Sequence, residues 1–109
     1  MIETPTVLPD RVMSWHMYVI RLRLETLKID RGEFIRELRR LGVGTTVCWK
    51  PVHMHPYYVE RFKLKEEELP VASGEFKRVI SLPIFPSMTD GEIDTVIDCV
   101  KQVAENHAV

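Results

Sequence analysis

Apolar and polar residues alternate from Met17 to Glu25 in the order MYVIRLRLE, with Tyr18, Ile20, Leu22 and Leu24 on one side and Arg21, Arg23 and Glu25 on the other. Successive side chains of an extended chain point to opposite faces, so this stretch reads as a half-buried strand. The period then changes. Phe34, Ile35, Leu38 and Leu41 recur at helical spacing behind Asp30 and Glu33, a pair placed to cap the first turn. Arg36, Arg39 and Arg40 favour the negative end of the helix dipole, and Gly42 can take the left-handed conformation that ends the helix. These arginines read as a solvated helix surface rather than a phosphate site.

Thr45, Val47 and Trp49 alternate against Thr46, Cys48 and Lys50, which predicts a second strand over TTVCWK, closed by Pro51. Lys63 to Glu68 and LPVASGEFKR suggest a loop and a short helix. A third strand is expected from Arg78 to Phe85, stopped by Pro83 and Pro86. Thr89 and Glu92 form a second capping pair before Ile93, Val96, Ile97, Val100, Val103 and Ala104, an apolar stripe that carries a helix to the C-terminus. Residues 1–15 contain Pro5 and Pro9 and no periodicity, as an arriving linker would. The order of elements predicts an α+β fold: a two-layer small domain, with a three-stranded, mainly antiparallel sheet and its amphipathic helices on one face. That arrangement leaves Trp15, Met17 and Val19 without cover.

A chain of 109 residues, 45% apolar and 28% charged, holds one core and one domain. Its net charge of −1 gives no general attraction to nucleic acid or to an anionic membrane. No apolar run approaches the roughly 20 residues of a membrane helix, and the N-terminus lacks the pattern of a signal peptide. Cys48 and Cys99 show no disulfide spacing, so free thiols in a reducing cytoplasm are expected.

Candidate chemistry concentrates in CWKPVHMHPYY, Cys48 to Tyr58. In extended backbone His53 and His55 would project to one side, where Cys48 could join them on a metal, but no CxxC, HExxH or acidic pair completes four ligands. A proline-stiffened loop with buried aromatics is the plainer reading. A third is a ligand-facing loop, whose rigid histidine and tyrosine rings suit sugar hydroxyls and phosphates. No nucleophile with a neighbouring base, no Gly-rich phosphate loop and no carboxylate pair marks a catalytic centre.

Three pieces in order, SWHMYVIRL, then residues 31–58 ending in WKPVHMHPYY, then RVISLPIFPSMTDGEIDTVIDCVKQV, resemble the C-terminal small domain of the DegT/DnrJ/EryC1/StrS aminotransferases from about Pro9 to Ala104. The resemblance implies a pyridoxal-phosphate enzyme of aspartate-aminotransferase fold. Such enzymes transfer an amino group, typically from glutamate, to a nucleotide-linked keto sugar destined for surface polysaccharides or antibiotics. It implies further that a large domain carries the Schiff-base lysine and most cofactor contacts, and that the small domain closes over the site. Residues 1–15 would then be the linker from that missing domain and 16–109 the small domain, as an excised piece or a truncated reading frame. By the same resemblance His53, His55 and Tyr58, with His16 second, would line the sugar-nucleotide side of the cleft. Many relatives have histidine where Cys48 stands; as a residue in its own right Cys48 reads as a small buried hydrophobe.

None of the six lysines, Lys28, Lys50, Lys63, Lys65, Lys77 and Lys101, lies in a phosphate-cradling pattern, so no catalytic, cofactor-binding or metal residue is assigned to this chain. The 109 residues alone are expected to be inactive and to bind no pyridoxal phosphate. The partners implied are the large domain, the nucleotide sugar, glutamate and a second copy in a homodimer. The rival reading is a stand-alone α+β binding module that uses the His-Tyr loop for a ligand or protein. A polar free sheet face would favour the rival, and an orphaned apolar face the fragment.

Overall fold

A computed structural model describes residues 1–109. The elements are β1 (Ile2–Glu3), β2 (Tyr18–Leu22), α1 (Arg31–Arg40), α2 (Pro56–Phe62), α3 (Pro70–Arg78), β3 (Val79–Leu82) and α4 (Asp90–Asn106). The sheet is three-stranded in the order β1-β2-β3 and antiparallel throughout. β2 is its centre: Ile20 lies opposite Ile80 of β3, and Leu22 opposite Ile2 of β1.

Period-two alternation gives β2 two different faces. Ile20, Leu22 and Ile80 point to the side where α1 supplies Phe34 and Leu38 and α4 supplies Val100, Val103 and Ala104, and these residues are buried together. Both helices begin and end as their sequences direct. The Asp30 carboxylate accepts from the Glu33 amide at 2.8 Å, and Thr89 and Glu92 cap α4 reciprocally. α1 ends with Gly42 at φ 85°, the Gly42 amide donating to Arg39 and the Val43 amide to Leu38. This is the Schellman arrangement, and it sets buried Val43 beside buried Leu38. The C-terminus is pinned by the Lys28 amide donating to the His107 carbonyl and the Val109 amide to that of Thr26.

The other face of β2 is mixed: Val19 and, across the ladder, buried Val79 stand among charges tied into ion pairs. Arg21 donates to Glu75 of α3 at 2.7 Å, Arg23 to Glu3 of β1 at 2.9 Å, and Arg78 reaches both Glu75 and Glu3. The short helix α3 therefore belongs to this side, and the two long amphipathic helices to the first, as their patterns require.

Three local expectations change. Residues 45–50 form no strand; only Thr46 bridges to Ser81. Val47 and Trp49 are exposed, so their alternation has no core to face and gains nothing from pairing. The third place in the sheet belongs instead to Ile2–Glu3, inside the segment expected to be irregular, held by the pairing of Ile2 with Leu22 and by the Glu3 ion pairs. The strand expected from Arg78 to Phe85 is limited to Val79–Leu82, because α3 runs directly into it.

The molecule is loosely closed. Its radius of gyration is 15.8 Å, where a self-contained chain of this length gives about 13 Å. Its surface is 7890 Å², against about 6,200 Å² for a folded monomer of 12.7 kDa. Only 14 of 109 residues are buried, so the core is small for the chain.

Candidate functional site

The stretch from Cys48 to Tyr58 folds into a tight turn and a helix start rather than an extended loop. Pro51 enters a 3-10 turn over Val52–Met54, His55 precedes α2, and Pro56 occupies the first helical turn, where a missing amide proton costs nothing. Lys63, at φ 55°, ends the helix in the left-handed region.

This turn separates the two histidines. His53 is buried, its Nε2 lying 2.8 Å from Oγ of Ser73 in α3, and Ser73 Oγ in turn donates to the Glu66 carbonyl at 2.9 Å. His55 is exposed and its Nε2 donates to the Lys50 carbonyl at 3.0 Å, closing the loop over Pro51. The extended, same-side placement on which a metal reading rests is absent, and no three His, Cys, Asp or Glu side chains converge. Cys48 is half-buried rather than buried and borders a shallow hollow of about 280 Å³ with Arg21, Trp49, Glu75 and Phe76.

Tyr58 is 39% exposed and packs edge-on to Tyr57 and face-to-face with Phe62, a strip of rings along α2. His16 is exposed at the bend before β2, beside Trp15, which holds φ 47° and packs its ring against Tyr18 at 5.0 Å, tilted by 46°. His53, His55 and Tyr58 thus belong to one loop and helix, and His16 to a separate segment.

Several charges around α3 and the neighbouring sheet edge are paired. Lys77 hydrogen-bonds Glu66 at 2.9 Å and holds its carboxyl below the ordinary 4.5. Burial works to raise Glu75, but hydrogen bonds from Arg78 and Arg21 outweigh it, and its pKa is lowered. The hydrogen bond from Arg23 lowers Glu3.

His53 and Ser73 are in contact without forming a nucleophilic pair: the serine proton is committed to a backbone carbonyl, and no carboxylate orients the imidazole. The six lysines are all exposed. An imine-forming lysine needs a desolvated site that lowers its pKa, so the residues present do not fit a pyridoxal-phosphate site by themselves.

A larger feature lies at the other end of the sheet. An apolar groove of about 380 Å³ runs between the ends of β2 and β3 and the start of α4, bordered by Trp15, Tyr18, Phe85, Met88, Ile93 and Ile97. Ile93 and Ile97 belong to the stripe that sequence assigns to the core, yet they are 41% and 43% exposed. Sequence reading missed this groove because helical spacing shows which residues share a face, not whether the chain itself covers them. It missed Ser73 as the partner of His53 because a contact twenty residues apart leaves no local signal.

The profile of the DegT/DnrJ/EryC1/StrS aminotransferase family matches residues 1–101. The spore coat polysaccharide biosynthesis protein SpsC of Bacillus subtilis is 39% identical over 103 residues, which is 94% of this chain and 26% of SpsC. Among solved structures, Spr1654 from Streptococcus pneumoniae in its PLP form superimposes with a TM-score of 0.82 at 26% identity, covering 96% of this chain and 26% of that one. DesV of S. venezuelae, solved with a ketimine intermediate, gives a TM-score of 0.78 at 31% identity over 95% of this chain and 26% of its own. The chain spans about a quarter of the length of these relatives. Sequence and fold together place it: this chain belongs to the DegT/DnrJ/EryC1/StrS aminotransferase family.

Proposed function

We propose that this chain is the small domain of a pyridoxal-phosphate-dependent sugar aminotransferase. In this reading the enzyme is cytoplasmic and homodimeric, and moves an amino group from glutamate to a nucleotide-linked keto sugar. Residues 16–109 form the domain and 1–15 the connection from a large domain, with Ile2–Glu3 of that connection docked as the edge strand. The cofactor, when bound, acts as the electron sink for amino transfer; its imine lysine and phosphate cradle belong to the large domain.

The observation that carries this reading is the apolar groove beside Ile93 and Ile97; the second sheet face, where Val19 and Val79 stand among the ion-paired Arg21, Arg23 and Arg78, is not the orphaned apolar face a fragment was expected to show. The molecule exposes roughly 1,700 Å² more than a folded monomer of its mass, counting the irregular segment before β2. Part of that excess is the groove beside Ile93 and Ile97, a surface shaped for a neighbour. The family relatives, four times as long, have the chain to supply one. The loop of His53, His55 and Tyr58, with His16 apart, is assigned to the substrate side.

The test is to express the whole reading frame that contains this sequence and assay amino transfer from glutamate to a nucleotide-linked 3- or 4-keto sugar. A cofactor-bound enzyme that makes the amino sugar supports the reading. A frame with no lysine-bearing α/β domain, and a monomeric chain with the groove in solvent, would sink it in favour of a stand-alone binding module.

A further inference from the structure

Ser73 Oγ lies 2.8 Å from His53 Nε2 and 2.9 Å from the Glu66 carbonyl. A hydroxyl has one proton and a carbonyl none, so the two contacts can both be hydrogen bonds in only one way. Ser73 donates to Glu66 and accepts from the imidazole, which therefore carries its proton on Nε2. If the serine proton pointed at the imidazole instead, two oxygens with no proton between them would face each other at 2.9 Å. The contact is buried, so water cannot relieve that repulsion.

The other ring nitrogen is left open. Nδ1 of His53 makes no hydrogen bond within the chain, and the residue as a whole is only 5% exposed. In the neutral ring Nδ1 is an acceptor only. His55 is turned the same way, because its Nε2 faces the Lys50 carbonyl and must donate, which leaves its Nδ1 as the free acceptor.

We infer that Ser73 is a positioning residue that locks His53 in the Nε2-H tautomer, so that Nδ1 of His53 is left as the acceptor for a ligand's hydroxyl proton. The inference deepens the proposed function and rests on it for the identity of the ligand: the loop meets the hydroxyls of the sugar, not the phosphates of the nucleotide. A phosphate oxygen is itself an acceptor and could pair with Nδ1 only if the imidazole first took a second proton, whereas a sugar hydroxyl pairs with the neutral ring as it stands.

The lock is tested in this chain by nitrogen-15 NMR of the histidine rings at a pH where they are neutral. The wild type is expected to show His53 as one tautomer with its proton on Nε2, protected from exchange with water. Ser73→Ala should lower that protection about tenfold, the factor set by one hydrogen bond of roughly 1.4 kcal/mol, and Ser73→Thr should restore it. A wild-type proton on Nδ1 overturns the inference even if neither variant folds. Unchanged protection in a folded Ser73→Ala chain overturns it as well. In the whole enzyme Ser73→Ala should raise KM for the keto sugar about tenfold with kcat nearly constant, the mark of lost uniform binding, and Ser73→Thr should reverse it. An unchanged KM overturns the hydroxyl assignment. A wild-type enzyme without amino transfer defeats the proposed function instead, and the tautomer measurement then decides the lock by itself.

Discussion

Ile97 and Val100 lie one turn apart on α4, yet the same substitution should act on them in opposite ways. Ile97 is 43% exposed at the groove, whereas Val100 is 7% exposed inside the core. A lysine at 97 can lay its stem along the groove wall and carry its ammonium to water, so Ile97→Lys should cost the chain under about 1 kcal/mol. A lysine at 100 strands a charge among Phe34, Leu38 and their neighbours, and Val100→Lys should cost at least roughly 3 kcal/mol.

Association should respond in the reverse order. Ile84, Phe85, Ile93 and Ile97 are each between 39% and 44% exposed. Full burial of such a side chain is worth about 1.5–3 kcal/mol, so covering the exposed two-fifths returns about 0.6–1.2 kcal/mol apiece and roughly 2.5–5 kcal/mol for the four. Removing the Ile97 share from both members of a two-fold dimer should weaken self-association roughly tenfold or more, before charge repulsion is added. Urea denaturation measures the first quantity, and sedimentation velocity across a concentration series the second. Equal destabilisation by the two variants would refute the different burial of the two positions, and self-association untouched by Ile97→Lys would refute this groove as the adhesive face of the isolated chain.

The ion-paired face of the sheet gives a pH prediction. Glu75 has its pKa lowered below the ordinary 4.5, so its contribution is present above that value and is lost as pH falls through the depressed one. Glu75→Gln should therefore be less stable than wild type at neutral pH, the gap closing in acid, as followed by urea midpoints from pH 7 down to about 3; a gap independent of pH would contradict the pairing with Arg21 and Arg78. Asp30→Ala removes the acceptor of the Glu33 amide and should lower stability by about 1 kcal/mol, with less α1 helicity by circular dichroism. No loss at all would mean that the cap is replaced by water.

The long helices were readable in the sequence because every local signal agreed. Asp30, the apolar stripe and Gly42 define α1 without reference to the rest of the chain, and Thr89 with Glu92 begins α4. The centre of the sheet was readable from the alternation of Tyr18 to Leu22. The TTVCWK stretch misled because β-branched alternation states a capacity to pair, and the capacity went unused at a position with nothing to bury. Ile2–Glu3 was invisible for the opposite reason: two residues have no period, and what holds them is Leu22 across the ladder and Arg23 and Arg78 around Glu3. In the candidate site, prolines flagged a rigid turn but not that Pro56 would open a helix. The resemblance singled out the histidines and the tyrosine; the burial of one imidazole against Ser73 while the other stays exposed follows only from tertiary packing.

The central claim is that this chain closes over chemistry done by residues it does not contain. Incubation with pyridoxal phosphate, borohydride reduction and peptide mass spectrometry test it directly, with the whole reading frame run alongside the 109 residues. The account predicts a stoichiometric adduct on a lysine of the large domain in the former and none in the latter. A stoichiometric adduct on Lys28, Lys50, Lys63, Lys65, Lys77 or Lys101 would contradict it.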